Sequence, residues 1–206
     1  MILETVVVGP MQVNCYILAA GEDSSCLIID PGSEERKINK VLEKYRLKPG
    51  LVVNTHGHFD HIGSDDKFNA LVCAHKSDMP MLENPLLNLS GLFGLPFKVK
   101  SERRALKEKD IVRTEGVELE VIHLPGHTPG GIALLLKKPE SGVVFTGDSL
   151  FCQGIGRTDF EGGDERLLID SIKQKLFVLP EDTVIYPGHG PTSTIGQEKR
   201  NNPFIQ

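Results

Sequence analysis

Four cysteines, Cys15, Cys26, Cys73 and Cys152, are all the thiols in 206 residues. They are widely spaced, form no Cys-x-x-Cys pair, and three lie in apolar, strand-like contexts. A disulfide framework is therefore excluded as the organising device, and buried, reduced thiols are expected. No apolar run approaches the roughly 20 residues of a membrane span, and no charged-then-apolar leader opens the chain. A soluble, cytoplasmic protein with no membrane partner is the expectation. The formal charge of −5 is mild and unclustered, which argues against a polyanion-binding surface and so against nucleic acid. A hydrophobic fraction of 39% over this length suits a single domain, residues 1–206, with a proper core.

What the chain does have is an unusual concentration of imidazole. The run Thr55-His56-Gly57-His58-Phe59-Asp60-His61 follows the apolar Leu51-Val52-Val53 and puts three histidines and a carboxylate within six residues. Neutral imidazole is a common ligand for zinc and suits iron, and a carboxylate adds charge neutralisation. Alternation in an extended segment sends His56, His58 and Asp60 to one side; a helix starting at Ile62-Gly63 lets His61 join them. A terminal expression tag would not follow a buried strand.

Three further segments each end an apolar run in a Gly/Pro turn that carries a ligand-type residue. They are Leu124-Pro125-Gly126-His127, Val144-Phe145-Thr146-Gly147-Asp148 and Ile185-Tyr186-Pro187-Gly188-His189. Singly, each such residue reads as a solvated or capping group. Together His56, His58, Asp60, His61, His127, Asp148 and His189 make seven candidates, enough for two divalent metals with one carboxylate bridging them. His75 and His123 fall outside the set: His75 reads as a helix-start or surface residue, His123 as strand packing or a neighbour of the ligands.

Around these motifs the pattern is layered. Residues 2–8, 14–19 and 26–29 read as strands of a meander. Ile38, Val41, Leu42 and Tyr45 recur at helical spacing, with Glu34 and Glu35 in the first turn and Pro49-Gly50 as the stop. A short strand at 51–54, a helix over 61–69 and a strand at 71–73 follow. In the second half, strands are expected at 117–124, 132–136, 143–145 and, last, 183–186. Asp164 is a plausible N-cap for a helix carrying Leu168, Ile172 and Leu176, and Thr194 with Gln197 a capping box.

These motifs resemble those of the metallo-β-lactamase-fold superfamily and, within it, the hydroxyacylglutathione hydrolase (glyoxalase II) group. Thr55 to His61 matches the T-H-x-H-x-D-H signature. Further matches are Val13-Asn14-Cys15-Tyr16-Ile17, Ile29-Asp30-Pro31-Gly32, residues 154–160 and residues 198–204. The resemblance implies a four-layer αββα sandwich, an α/β fold. It also implies one metal site of His56, His58 and His127, a second of Asp60, His61 and His189, and Asp148 between them. Larger members carry a C-terminal helical extension that helps to grip glutathione. This sequence stops soon after His189, so the resemblance is to a compact subtype; S-lactoylglutathione or a related hydroxyacyl thiol is the first expectation, and a smaller thioester or another thiol carrier the alternative.

The ligand set suits hydrolysis, by a hydroxide shared between two divalent ions, zinc first and iron or manganese as alternatives. Asp60 and Asp148 are then the catalytic carboxylates, acting as ligands rather than free bases. A thioester substrate fits because a thiolate leaves with little proton donation. Asp30 is a candidate to hold a ligand imidazole, or simply a turn former. Arg157 is a candidate to meet a substrate carboxylate, or else a partner of Asp159. Leu92, Phe93, Leu95 and Phe97 read either as packing residues or as the mouth of the site. The main alternative is a persulfide dioxygenase of the same superfamily using one iron on His56, His127 and Asp148; a lactone hydrolase is a lesser one.

Overall fold

Strand β2 is buried along its whole length because its two faces meet two different layers. The computed structural model describes residues 1–139 and 141–205. Its first half contains β1 (Ile2–Val8), β2 (Val13–Ala19), β3 (Ser25–Ile29), α1 (Glu35–Lys44), β4 (Lys48–Val53), α2 (Phe59–Ile62), β5 (Leu71–His75), α3 (Met79–Glu83) and β6 (Arg103–Leu106). The sheet order is β1-β2-β3-β4-β5-β6, antiparallel as far as β3 and parallel from there.

The second half contains β7 (Ile111–Thr114), β8 (Val117–His123), β9 (Ile132–Lys138), β10 (Val143–Gly147), the small hairpin β11 (Leu150–Phe151) and β12 (Gly154–Ile155), α4 (Glu165–Ser171), β13 (Val184–Pro187), β14 (Ser193–Thr194) and α5 (Ile195–Asn201). Its sheet runs β14-β13-β10-β9-β8-β7, with β10 and β13 parallel.

Side-chain alternation sorts the apolar residues into three layers. Cys15, Ile17 and Ala19 of β2 cluster with Ile38 and Leu42 of α1. Tyr16 and Leu18, on the opposite face, cluster with Leu119, Val121, Leu134 and Phe145 of the second sheet. Beyond that sheet, Ile122, Val144 and Ile185 pack with Leu168 of α4 and with Ile172 and Leu176, a π-helical continuation of it. Two sheets face to face with helices outside make the αββα sandwich expected.

Several local expectations need correction. Helix α1 ends at Lys44, and Arg46 turns the chain with φ 54°. Pro49-Gly50 therefore lies inside β4, where the register against β3 shifts; the extra residue of a bulge is where a strand tolerates this pair. The helix expected over 61–69 is a single turn, α2, followed by a 3₁₀ turn at Asp65–Lys67. The break arises because the Ser64 N–H donates to the Pro31 carbonyl instead of continuing the helix. The last strand is β14, not β13. Asp164 does cap α4, accepting from the Leu167 N–H, and Thr194 caps α5. The Gln197 side chain, however, faces Ser193, so the box is half-formed. His75 is buried at the end of β5, stacked 3.9 Å from His123, and is neither a helix start nor a surface residue.

One buried acid sets a pH dependence. Asn54 Nδ2 donates to Asp65 Oδ1 at 3.1 Å, while Asn54 Oδ1 and Asp65 Oδ2 are buried and find no partner among the described residues. Burial raises the Asp65 carboxyl well above its ordinary value. The unfolded chain then releases a proton that the folded chain keeps, so stability falls as pH rises above the ordinary carboxyl range. An Asp65→Asn side chain offers Asn54 Oδ1 the missing donor at any pH. Denaturant unfolding of chelator-treated protein at pH 5 and pH 8 should show the variant roughly 1–2 kcal/mol more stable at pH 8, with a flatter pH dependence. An unchanged slope would rule out the buried acid as its source.

Candidate metal centre

All seven candidates converge where the parallel strands end. His56, His58, Asp60 and His61 leave β4 through the loop into α2; Asp148 follows β10 and His189 follows β13, while His127 comes from the turn after β8. Three groups of donor atoms lie within 4.8 Å of one another: His56-His58-His127, His56-His61-Asp148 and Asp60-His61-His189. His56 and His61 are buried at 2% and 0% exposure, far below what free histidines at a turn would show.

The hydrogen bonds around the imidazoles define which nitrogens face inward. His127 Nδ1 donates to the Arg157 carbonyl at 2.7 Å, leaving the Nε2 lone pair pointing into the site. Thr55 Oγ1 donates to Asp30 Oδ2 at 2.6 Å and lies 3.2 Å from His56 Nδ1, which must therefore be the donor to it. The His56 and His127 Nε2 atoms thus present lone pairs to each other across 3.3 Å, with His58 Nδ1 converging at 3.0 Å from His127 Nε2. A shared cation relieves that contact.

Electrostatics divide the site. Burial, aided by His127, lowers His58 to about 3, and burial with neighbouring histidines drives His56 well below its usual value, so both are neutral and ready to ligate. In the other half, burial again disfavours charge on His61, but Asp148, Asp60 and Asp30 outweigh it and raise the group to about 10. Those carboxylates attract a cation, or failing that a proton. Asp148 sits between the halves: Oδ1 is 3.4 Å from His61 Nε2, and Oδ2 is 3.7 Å from His127 Nε2 and 3.5 Å from His189 Nε2. Its Oδ1 is buried without a hydrogen-bond partner, as a ligand atom would be. The donor set therefore fits two metal ions.

A surrounding layer fixes these groups. Asp30, in a left-handed turn at φ 51°, accepts from the Thr55 N–H and hydroxyl and from His61 Nδ1. His189 Nδ1 donates to the Met11 carbonyl, while Asn14 and Tyr16 donate to the Pro187 carbonyl, which explains the early Val13–Ile17 match. Sequence reasoning missed Asp78. Fully buried, it accepts from the Gly57 and Gly130 N–H groups and the Thr128 hydroxyl, tying the His56-His58 loop to the His127 turn. Its position before Met79-Pro80 looks like an N-cap and gave no hint of contacts 50 residues away. The Arg157 guanidinium is held by Asp159 at 2.6–2.7 Å and lies 4.0 Å over the Phe160 ring, as the pairing alternative expected.

The metal-ligand candidates open into a cavity of about 340 Å³ walled by Met11, Phe59, Leu89, Phe93, Phe151 and Phe160, with Arg157 at its edge. Among the described residues no helix is long and apolar enough to cross a membrane.

The chain belongs to the metallo-β-lactamase superfamily, whose family model matches residues 8–189. It is 39% identical to a Haemophilus influenzae protein named hydroxyacylglutathione hydrolase GloC, over 98% of this chain and 97% of that one. Among solved structures, the BLEG-1 B3 metallo-β-lactamase superposes with a TM-score of 0.92 at 38% identity, covering 100% of both chains. TTHA1623 in a di-iron-bound form gives 0.83 at 37% identity, covering 98% of this chain and 99% of that one. The superfamily and the donor set support divalent metals at the site, and the di-iron relative leaves zinc one candidate among them.

Proposed function

We propose that the protein is a binuclear metallohydrolase that cleaves an acyl thioester, S-lactoylglutathione or a related hydroxyacyl thiol. The observation that carries this reading is Asp148, whose carboxylate lies between two groups of inward-facing donors. His56, His58 and His127 would hold one ion and Asp60, His61 and His189 the other, with Asp148 common to both. Two divalent ions held there, zinc, iron or manganese, supply activation of water and polarisation of the acyl carbonyl. Asp60 and Asp148 supply the negative charge that keeps both ions in place. Asp30 and Thr55 lock the tautomers and ring orientations of His61 and His56, and the Arg157 carbonyl does so for His127. The aromatic wall excludes bulk water from the reacting carbonyl. No residue need protonate the leaving group, because a thiolate departs unaided. The name of the 39% identical GloC relative supports the choice of substrate.

Purified, metal-quantified protein is expected to release thiol from S-lactoylglutathione, and chelator treatment to abolish the release. No release from fully metallated protein would remove glutathione as the thiol, and no hydrolysis of any thioester would sink the thioester reading. A mononuclear iron reading, a persulfide dioxygenase, is favoured by one observation. His127 Nε2 lies 3.3 Å from His56 Nε2 and 3.7 Å from Asp148 Oδ2, a two-histidine, one-carboxylate set. One iron per chain with oxygen uptake on a persulfide would select it.

A further inference from the structure

A second cavity of about 240 Å³ adjoins the metal pocket and shares Met11, Phe59 and Asp60 with it. Beyond the partition formed by Met11 and Phe59 its walls are apolar: Val8, Pro10, Leu95 and Phe97. No lysine or arginine is among its described lining residues, and Arg157, the single cation lining the metal pocket, is already paired with Asp159. The two cavities meet at these shared residues, so the apolar chamber begins beside Asp60. Leu95 of the chamber and Phe93 of the metal pocket are 70% and 53% exposed, and the Phe93 ring lies 4.8 Å from that of Phe59, which both cavities share. Large side chains held open to solvent beside a catalytic pocket are the usual mark of a ligand-binding wall.

We propose that this chamber is a substrate subsite for an unbranched apolar chain, so that the thioesters cleaved best carry an aliphatic arm that passes between Met11 and Phe59. The inference rests on the hydrolase reading above and deepens it by naming the substrate class. A metal-held carbonyl is the end of the substrate fixed beside Asp60 and Asp148. Apart from Asp60 at its entrance and Ser33, an arm leaving that point meets apolar side chains and glycine backbone.

The test uses metal-loaded protein and two series of uncharged thioesters. In one, N-acetylcysteamine carries acyl groups from acetyl to dodecanoyl; in the other, acetyl is fixed and the thiol is an alkanethiol of increasing length. The value of kcat/KM is expected to rise about two- to fourfold per methylene, and to level off once the chamber is filled, in one series. The responsive series identifies whether the acyl or the thiol arm enters the chamber. Leu95→Glu, at an exposed position, and Phe97→Ser, deeper in the wall, should each flatten that rise. Calorimetric binding of S-alkyl-N-acetylcysteamine thioethers, which cannot be hydrolysed, should tighten with chain length in the wild type and lose that dependence in both variants. An active enzyme with flat series overturns the subsite and leaves the hydrolase reading standing. Chain-length-dependent thioether binding without hydrolysis of any thioester does the reverse. Binding independent of chain length, or a dependence that survives both substitutions, overturns the subsite outright.

Discussion

Asp148→Ala should yield a protein that folds, binds little metal and hydrolyses thioesters roughly 10²–10³-fold more slowly or worse. The side chain reaches both halves of the site, within 3.4–3.7 Å of His61, His127 and His189. Among the described residues its Oδ1 has no hydrogen-bond partner. Removing the side chain would take away the proposed shared ligand without opening a gap in the hydrophobic layers. Elemental analysis should show less than the wild-type metal content per chain. Chelator-treated wild type and variant should share one melting temperature, whereas the metal-loaded wild type should melt well above the variant, because binding to the native state alone stabilises it. Full activity in Asp148→Ala would remove the basis for a bridging carboxylate.

Gly188→Ala should come close to the same loss by a different route. A Cβ at this position would stand 2.2 Å from Asp148 Oδ1 and 2.8 Å from His61 Cε1. The backbone has no freedom to retreat: the Gly188 N–H donates to the Gly147 carbonyl and its own carbonyl accepts from the Asn14 N–H, each at 2.8 Å. The ligands have to move instead, and metal affinity is expected to fall 10–100-fold or more. Gly21→Ala serves as the control, since a Cβ there meets nothing within 4 Å. Titrating apo-protein with zinc or iron against a competing chelator measures the difference. An affinity equal to that of the control would mean that the ligands tolerate displacement and that the cradle is looser than its geometry indicates.

These two experiments address residues that differ in how visible they are in the sequence. Asp148 is legible because it ends an apolar run in a tight turn, like His127 and His189, and three such turns beside a histidine-dense loop imply convergence. Gly188 is equally visible as a turn residue. Its reason for being glycine is not, since that reason is the approach of Asp148, 40 positions away, and of His61, further still. The same limit explains Asp78 and Asp65. A buried carboxylate that accepts from groups far along the chain, backbone N–H groups for Asp78 and the Asn54 amide for Asp65, leaves no periodic trace. Conversely, helix α2 was overextended because the Pro31 carbonyl, which takes the Ser64 N–H, belongs to another strand's loop.

Alternation, helical spacing and turn chemistry are carried by neighbours within a few residues, so the sequence by itself determined the strands of both sheets' centres, helices α1 and α4 with the Asp164 cap, and the seven donors. The tertiary structure alone decided which donors group together, which imidazole nitrogens face inward, that Arg157 is engaged by Asp159, and that an apolar chamber lies behind Met11 and Phe59. Apart from the local Arg157–Asp159 and Thr55–His56 contacts, those depend on distances between segments far apart in the chain, and such distances are set by how the two sheets pack, which no local pattern encodes.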